Sequence, residues 1–183
     1  ELVVWAEDDQ QLEGMGPTRF GQALARLLAS ERYRGLDAVV YADPASTYGG
    51  DRQGDDAPWL DTMRRQLPEH VIVRAAPTNN LHLRLEAVRV PLKRLIDGRP
   101  GLLLSPACRV ARRGFVSGYM FGRVQLAGGQ NGGFRDVPVK NKFSHVHDAG
   151  QYAQMGHASG AFEPSRDVRQ TFAGRGRDAG DYD

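Results

Sequence analysis

The sequence reads as an α/β domain built on a mixed β-sheet, and three features lead there. Short β-prone runs alternate with segments whose apolar residues recur at helical spacing, the pattern produced when helices cover a sheet. The 183 residues are 40% hydrophobic and 25% charged, enough apolar chain to bury the core of about one domain. Late in the chain, two alternating runs flank a Gly-rich tip, which adds a β-hairpin.

In chain order, Leu2-Val3-Val4-Trp5-Ala6 is β-prone and closes on Glu7-Asp8-Asp9, so it reads as a strand ending in an acidic loop. Thr18 is a good N-cap for a helix carrying Phe20, Leu24, Leu27 and Leu28 and reaching Tyr33. Residues 36–41 read as a buried strand stopped by Asp43-Pro44, and residues 44–57 as a loop, because they are rich in Gly, Asp and Ser without an apolar period. Trp59, Met63 and Leu67 predict a short helix, and Val71-Ile72-Val73 the next strand. Asn80 or Thr78 caps a longer helix, apolar at Leu81, Leu85, Val88, Leu92 and Leu95 and basic at Arg84, Arg89, Lys93 and Arg94. Pro91 lies inside that helix, where its missing N–H predicts a kink. Leu102-Leu103-Leu104 is a short buried strand, and Arg109, Arg112 and Arg113 lie on a helical turn after Pro106. Tyr119, Phe121, Val124 and Leu126 alternate into a hairpin whose tip spans residues 128–133, and Ser144 is placed to cap a last helix reaching about Met155. The expected organisation is therefore one domain over residues 1–155 and a polar, flexible tail over 156–183, where large apolar residues are scarce.

The formal charge of +2 hides a strong segregation. Residues 1–61 hold 12 acids and 5 bases, residues 62–142 hold 15 bases and 4 acids, and residues 143–183 hold 4 bases and 6 acids. A basic middle third between acidic ends suits a phosphate-binding face beside a metal-binding carboxylate cluster, and it also suits arginines scattered over a solvated surface. No apolar stretch approaches the roughly 18–20 residues of a bilayer span, and no leader pattern follows Glu1. A lone Cys108 points to a reducing cytoplasm, and a start at Glu1 in place of Met suggests a piece of a longer protein. P-loop ATP hydrolysis is excluded by the absence of G-x-x-x-x-G-K-[ST], and a zinc ribbon by the spacing of five His and one Cys. Cys108 has no evident catalytic His motif and reads as a packed thiol.

Two places are left for chemistry. Asp43 directly follows the apolar run Val39-Val40-Tyr41, and a carboxylate at the carboxyl end of a strand lies where α/β proteins put ligands; Asp-Pro is equally an ordinary turn opener. In Ser144-His145-Val146-His147-Asp148-Ala149, His145 and Asp148 share a helix face while His147 is rotated about 200° from His145. Such an imidazole and carboxylate pair can hold Mg²⁺ or Mn²⁺, or form a plain surface hydrogen bond. The cations that would hold a phosphate backbone are Arg84, Lys93, Arg94, Arg112, Arg113, Lys140 and Lys142, all in the basic third.

The order of the motifs is more specific than any one of them. Gly16-Pro17-Thr18-Arg19-Phe20, Tyr41-Ala42-Asp43-Pro44-Ala45, Pro77-Thr78-Asn79-Asn80, Arg84-Leu85-Glu86-Ala87-Val88, Leu103-Leu104-Ser105-Pro106-Ala107-Cys108, Gly114-Phe115, Gly118-Tyr119 and Lys140-Asn141-Lys142-Phe143-Ser144-His145-Val146-His147-Asp148-Ala149-Gly150-Gln151-Tyr152 follow one another. Together they resemble the nuclease domain of the tailed-bacteriophage large terminase subunit, in order from near residue 2 to about residue 153. The resemblance implies a ribonuclease H-like mixed sheet flanked by helices, and metal-dependent cleavage of concatemeric double-stranded DNA during genome packaging in the host cytoplasm. It implies a two-ion site for Mg²⁺ or Mn²⁺, with Asp43 and Asp148 as catalytic ligands and His145 as the additional ligand used by some members. It further implies the portal protein and the small terminase subunit as partners. The family's first catalytic aspartate belongs to a strand upstream of residues 2–5, which this chain lacks together with the ATPase domain. Glu7, Asp8 and Asp9 match the end of the following strand and do not replace that aspartate. The rival expectation is a non-catalytic module that clamps DNA and docks at the portal.

Overall fold

The computed structural model describes residues 2–4, 14–48, 57–125 and 131–159, and over them the protein is mixed α/β. The acidic run at residues 7–9, most of residues 44–57 beyond Tyr48, the hairpin tip at 126–130 and the tail from 160 lie outside the described residues. Strand β1 (Leu2–Val4) pairs in parallel with β6 (Leu102–Leu104), and β2 (Val39–Ala42) pairs in parallel with β3 (Ile72–Ala75) in the register Val39↔Ile72 to Ala42↔Ala75. Two antiparallel hairpins complete the strands: β4 (Leu95–Ile96) with β5 (Arg99–Pro100), and β7 (Phe121–Gln125) with β8 (Asn131–Pro138). The expected single mixed sheet is thus present as four two-stranded ladders among the described residues.

Helix α1 (Pro17–Leu28) begins one residue before the expected Thr18 cap: Gly16 is the N-cap and Pro17 occupies the first helical position, where its fixed φ favours the turn and its missing N–H leaves nothing unpaired. The core of this half gathers Leu60, Met63, Val71 and Val73, with Phe20, Leu24, Val40 and Trp59 packed around them. It is formed where α1 and α2 (Trp59–Arg64) cover β2 and β3, and the Phe20 and Trp59 rings meet at 5.4 Å. Gly21 permits that approach, since a Cβ there would lie 2.7 Å from the Met63 carbonyl oxygen.

Helix α3 (Leu81–Lys93) departs most from its sequence pattern. Asn80 caps it by accepting from Leu83 N, but its one buried residue is Arg84, while Leu83, Val90 and Leu92 are exposed. The helix ends two residues after Pro91, and Leu95 belongs to β4 instead of to the helical stripe. The β4–β5 hairpin turns on Asp97 and Gly98, both at positive φ, the conformation that Asp-Gly favours in tight hairpins. Helix α4 (Arg109–Arg113) runs into one π-helical turn, Gly114–Gly118. Helix α5 (Lys142–Ala158) starts earlier than expected: Asn141 is its N-cap and Ser144 answers from the third position, each satisfying a backbone N–H of the other. It extends beyond the expected boundary at residue 155, and no helix among the described residues is long and apolar enough to cross a membrane.

Candidate functional site

The buried face of α5 is unusually polar: Ser144, His147, Gln151, Tyr152 and Gln154 are all inside. Polar groups removed from water need partners, and most of these have them. The His147 ring lies 3.2 Å from the Ala111 carbonyl, stacked on Tyr119 at 4.7 Å and edge-on to Phe115 at 4.6 Å. Burial pushes its pKa below the ordinary 6.5, against the opposing pull of the Ala111 carbonyl and the Asp148 carboxylate. Gln151 donates to the Tyr119 hydroxyl at 2.9 Å. His147 therefore belongs to the packed interior, on a different side of α5 from the exposed His145.

Asp148 and Tyr152, one turn apart on α5, both meet Arg84 of α3. Arg84 donates one guanidinium nitrogen to Asp148 Oδ1 and the other to Asn79 Oδ1 at 2.9 Å, and its plane lies 4.5 Å from the Tyr152 ring centroid. Lys140 reaches the second Asp148 oxygen at 2.7 Å. Tyr152 donates its hydroxyl to Asn79 Oδ1 at 2.6 Å. The same hydroxyl faces Asp43; burial first, and then Asp43, push its pKa up well beyond the usual tyrosine range, so it stays a donor. Asp43 is half-buried just past β2, and its Oδ1 also accepts from Ala45 N at 2.9 Å to cap the single 3-10 turn Pro44–Thr47. Asp43 thus opens the turn and at the same time stands at the carboxyl end of a parallel strand. Gly156 completes the junction, because a side chain there would run into the Tyr41 ring of β2.

A chain of contacts thus runs from Asp43 through Tyr152, Asn79 and Arg84 to Asp148; the sequence motifs contain Tyr152 and Asn79, but pattern reasoning gave neither a role. For Arg84 the expectation of a solvent-facing phosphate cation is corrected: its side chain is 8% exposed and committed to Asp148. The reason is tertiary, since α3 turns this face onto α5 while its leucines line an open apolar groove of about 700 Å³ with β6 and α5. His145 is exposed, three residues before Asp148. Lys93 and Arg94 are exposed at the far end of α3, away from the Arg84 turn. Arg112, Arg113 and Lys142 come together in a separate cleft. Asp43 and Asp148 offer hard oxygen donors of the kind Mg²⁺ and Mn²⁺ prefer. Among the described residues no three His, Cys, Asp or Glu side chains are gathered so as to hold a metal ion. Comparison of the chain with protein-family models, curated proteins and solved structures gives no match.

Proposed function

We propose that this chain is a divalent-metal-dependent endonuclease domain of the terminase type, ribonuclease H-like in fold, acting on concatemeric double-stranded DNA during viral genome packaging. The observation that carries the reading is the chain of contacts that links Asp43, at the carboxyl end of a parallel strand and beside the Tyr152 hydroxyl, through Tyr152, Asn79 and Arg84 to Asp148 on α5. Asp43 and Asp148 would hold Mg²⁺ or Mn²⁺, with His145 as an additional ligand. The ions would supply activation of water and stabilisation of the leaving oxygen of a phosphodiester. The other residues position these carboxylates. Arg84 fixes Asp148 from the interior, Tyr152 and Asn79 tie α5 to the loop before α3, and Lys140 neutralises Asp148 on its open side. Lys93, Arg94, Arg112, Arg113 and Lys142 are the exposed cations available to a phosphate backbone. The partners that go with this reading are the portal protein and the small terminase subunit, in the host cytoplasm.

A second reading, a non-catalytic DNA-clamping and portal-docking module, is favoured by one observation: Asp148 is held by two cations, as in a structural ion-pair network. Mn²⁺ calorimetry and plasmid cleavage by the chain and its Asp43→Asn and Asp148→Asn variants separate the two. Binding and cleavage that disappear in both variants support the nuclease. Mn²⁺ binding that persists unchanged in both removes the carboxylates from the site and leaves the clamp.

A further inference from the structure

We propose that the cleft between α4, the π turn and the start of α5 is a seat for a backbone phosphate of duplex DNA, separate from the carboxylate site. The proposal rests on the duplex-DNA part of the reading above and adds to it Arg109 and Ser117, which that reading does not use. Arg109, Arg112 and Arg113 stand at i, i+3 and i+4 and so share one face of α4. Lys142 and Phe143 form the opposite wall and Ser117 lies between. Four cations line this cleft and no carboxylate does.

Some cations elsewhere are neutralised by an acidic neighbour. Arg64 is paired with Asp61, Arg89 with Glu86, and Arg84 and Lys140 with Asp148. Among the described residues none of the four cleft cations has a carboxylate partner; Arg112 reaches only the Pro106 carbonyl at 3.4 Å and Lys142 the Phe143 ring at 5.4 Å. Like charges gathered without counter-charge are relieved by a bound anion, and arginine forks match phosphate oxygens two at a time.

The cleft is also built rigidly. Asn141, which caps α5, donates to the Gly118 carbonyl at 2.9 Å and so ties the π turn to the helix start. Gly118 lies against the Phe143 ring and Gly114 against His147 so closely that neither position has room for a Cβ. Single π turns often accompany functional sites because they shift the register of the side chains that follow. Lys142 precedes Asp148 by six residues, about 9 Å along the α5 axis, which is the rise of two to three base pairs.

The test measures binding of a fluorescent 20-base-pair duplex by anisotropy in EDTA over a range of KCl, so that no metal or cleavage enters. Arg109→Ala with Arg113→Ala should weaken binding tenfold or more and lower the salt slope by roughly one to two. The paired surface cations give the control: Arg64→Ala with Arg89→Ala should leave the slope unchanged. Ser117→Asp, a charge on the exposed cleft floor, should weaken binding more than Ser117→Ala, which keeps the test valid if the arginine double variant folds poorly. An unchanged slope in both cleft variants overturns the proposal. So does an NMR titration in which inorganic phosphate shifts the Ser117 and Arg113 amides while duplex affinity is indifferent to the arginines, since the seat would then serve a free anion. Duplex binding that needs the cleft while Asp43→Asn and Asp148→Asn change nothing in metal binding or cleavage keeps the seat and removes the nuclease reading. No duplex binding by the unaltered chain overturns both.

Discussion

Replacing Arg84 with Met removes a buried charge while keeping most of its volume, and the structure sets what that should do. The side chains of Arg84 and Asp148 are 8% and 17% exposed, so little solvent screens their pairing. Breaking a buried pair by removing one partner costs about 3–5 kcal/mol. The charged hydrogen bond to Asn79 adds about 1.5–3 kcal/mol and the stacking over Tyr152 about 0.5–2 kcal/mol. These terms are not additive, and two of them are reduced here. Lys140 remains on Asp148, although with a side chain 74% exposed it screens only in part, and the buried Arg84 Nε, which has no partner among the described residues, ceases to be a penalty. A net loss of about 3 kcal/mol follows, lowering Tm by roughly 6–12 °C for a chain of this size. Urea unfolding of the wild type, Arg84→Met, Asp148→Asn and the double variant supplies both the loss and the coupling, which should be at least about 1 kcal/mol. An Arg84→Met loss below about 0.5 kcal/mol with coupling near zero is the behaviour of an exposed ion pair and would refute the buried-clamp reasoning.

Two further outcomes can be checked on the same chain. Gly118→Ala drives a methyl group into the Phe143 ring and should destabilise the fold by about 1–3 kcal/mol, whereas Gly133→Ala, with open space at its Cβ position, should change denaturant stability little; equal effects would refute the close-packed π turn. His147 has a folded-state pKa below 6.5, so the unfolded chain binds its proton first; the stability held by the neutral ring is complete above pH 6.5 and is lost as pH falls through the folded value. Unfolding midpoints measured from pH 7.5 to 5 should therefore fall more steeply for the wild type than for His147→Gln, and parallel curves would remove His147 as a source of acid lability.

Legibility in the sequence followed the range of the interaction. The strand ending at Asp43, the short helix at Trp59, the Leu102–Leu104 strand and the hairpin after Tyr119 were readable because each depends on neighbours a few residues away. The Asp97-Gly98 hairpin carried an equally local signal, but it was absorbed into the end of a helix by the apolar residue Leu95. Caps were displaced by two residues at α1 and three at α5, where Gly16 followed by Pro17, and Asn141, took the places expected of Thr18 and Ser144.

By itself the sequence determined the α/β alternation, the basic middle third, the position of Asp43 at a strand end, and the sharing of one helix face by His145 and Asp148, because all of these are properties of composition or of one element's period. Which side of α3 would be buried was decided only by tertiary structure. The apolar stripe Leu85, Val88, Leu92 lines an open groove, while Arg84 goes inside because α5 brings it a carboxylate and an aromatic face, beside the Asn79 amide from the loop before its own helix. The same contact between distant segments joins Arg84 to Asp148, 64 residues apart, and Tyr152 to Asn79, 73 residues apart. The physical reason is that a buried charge is tolerated only where specific partners converge, and no local pattern records which partners a fold will bring.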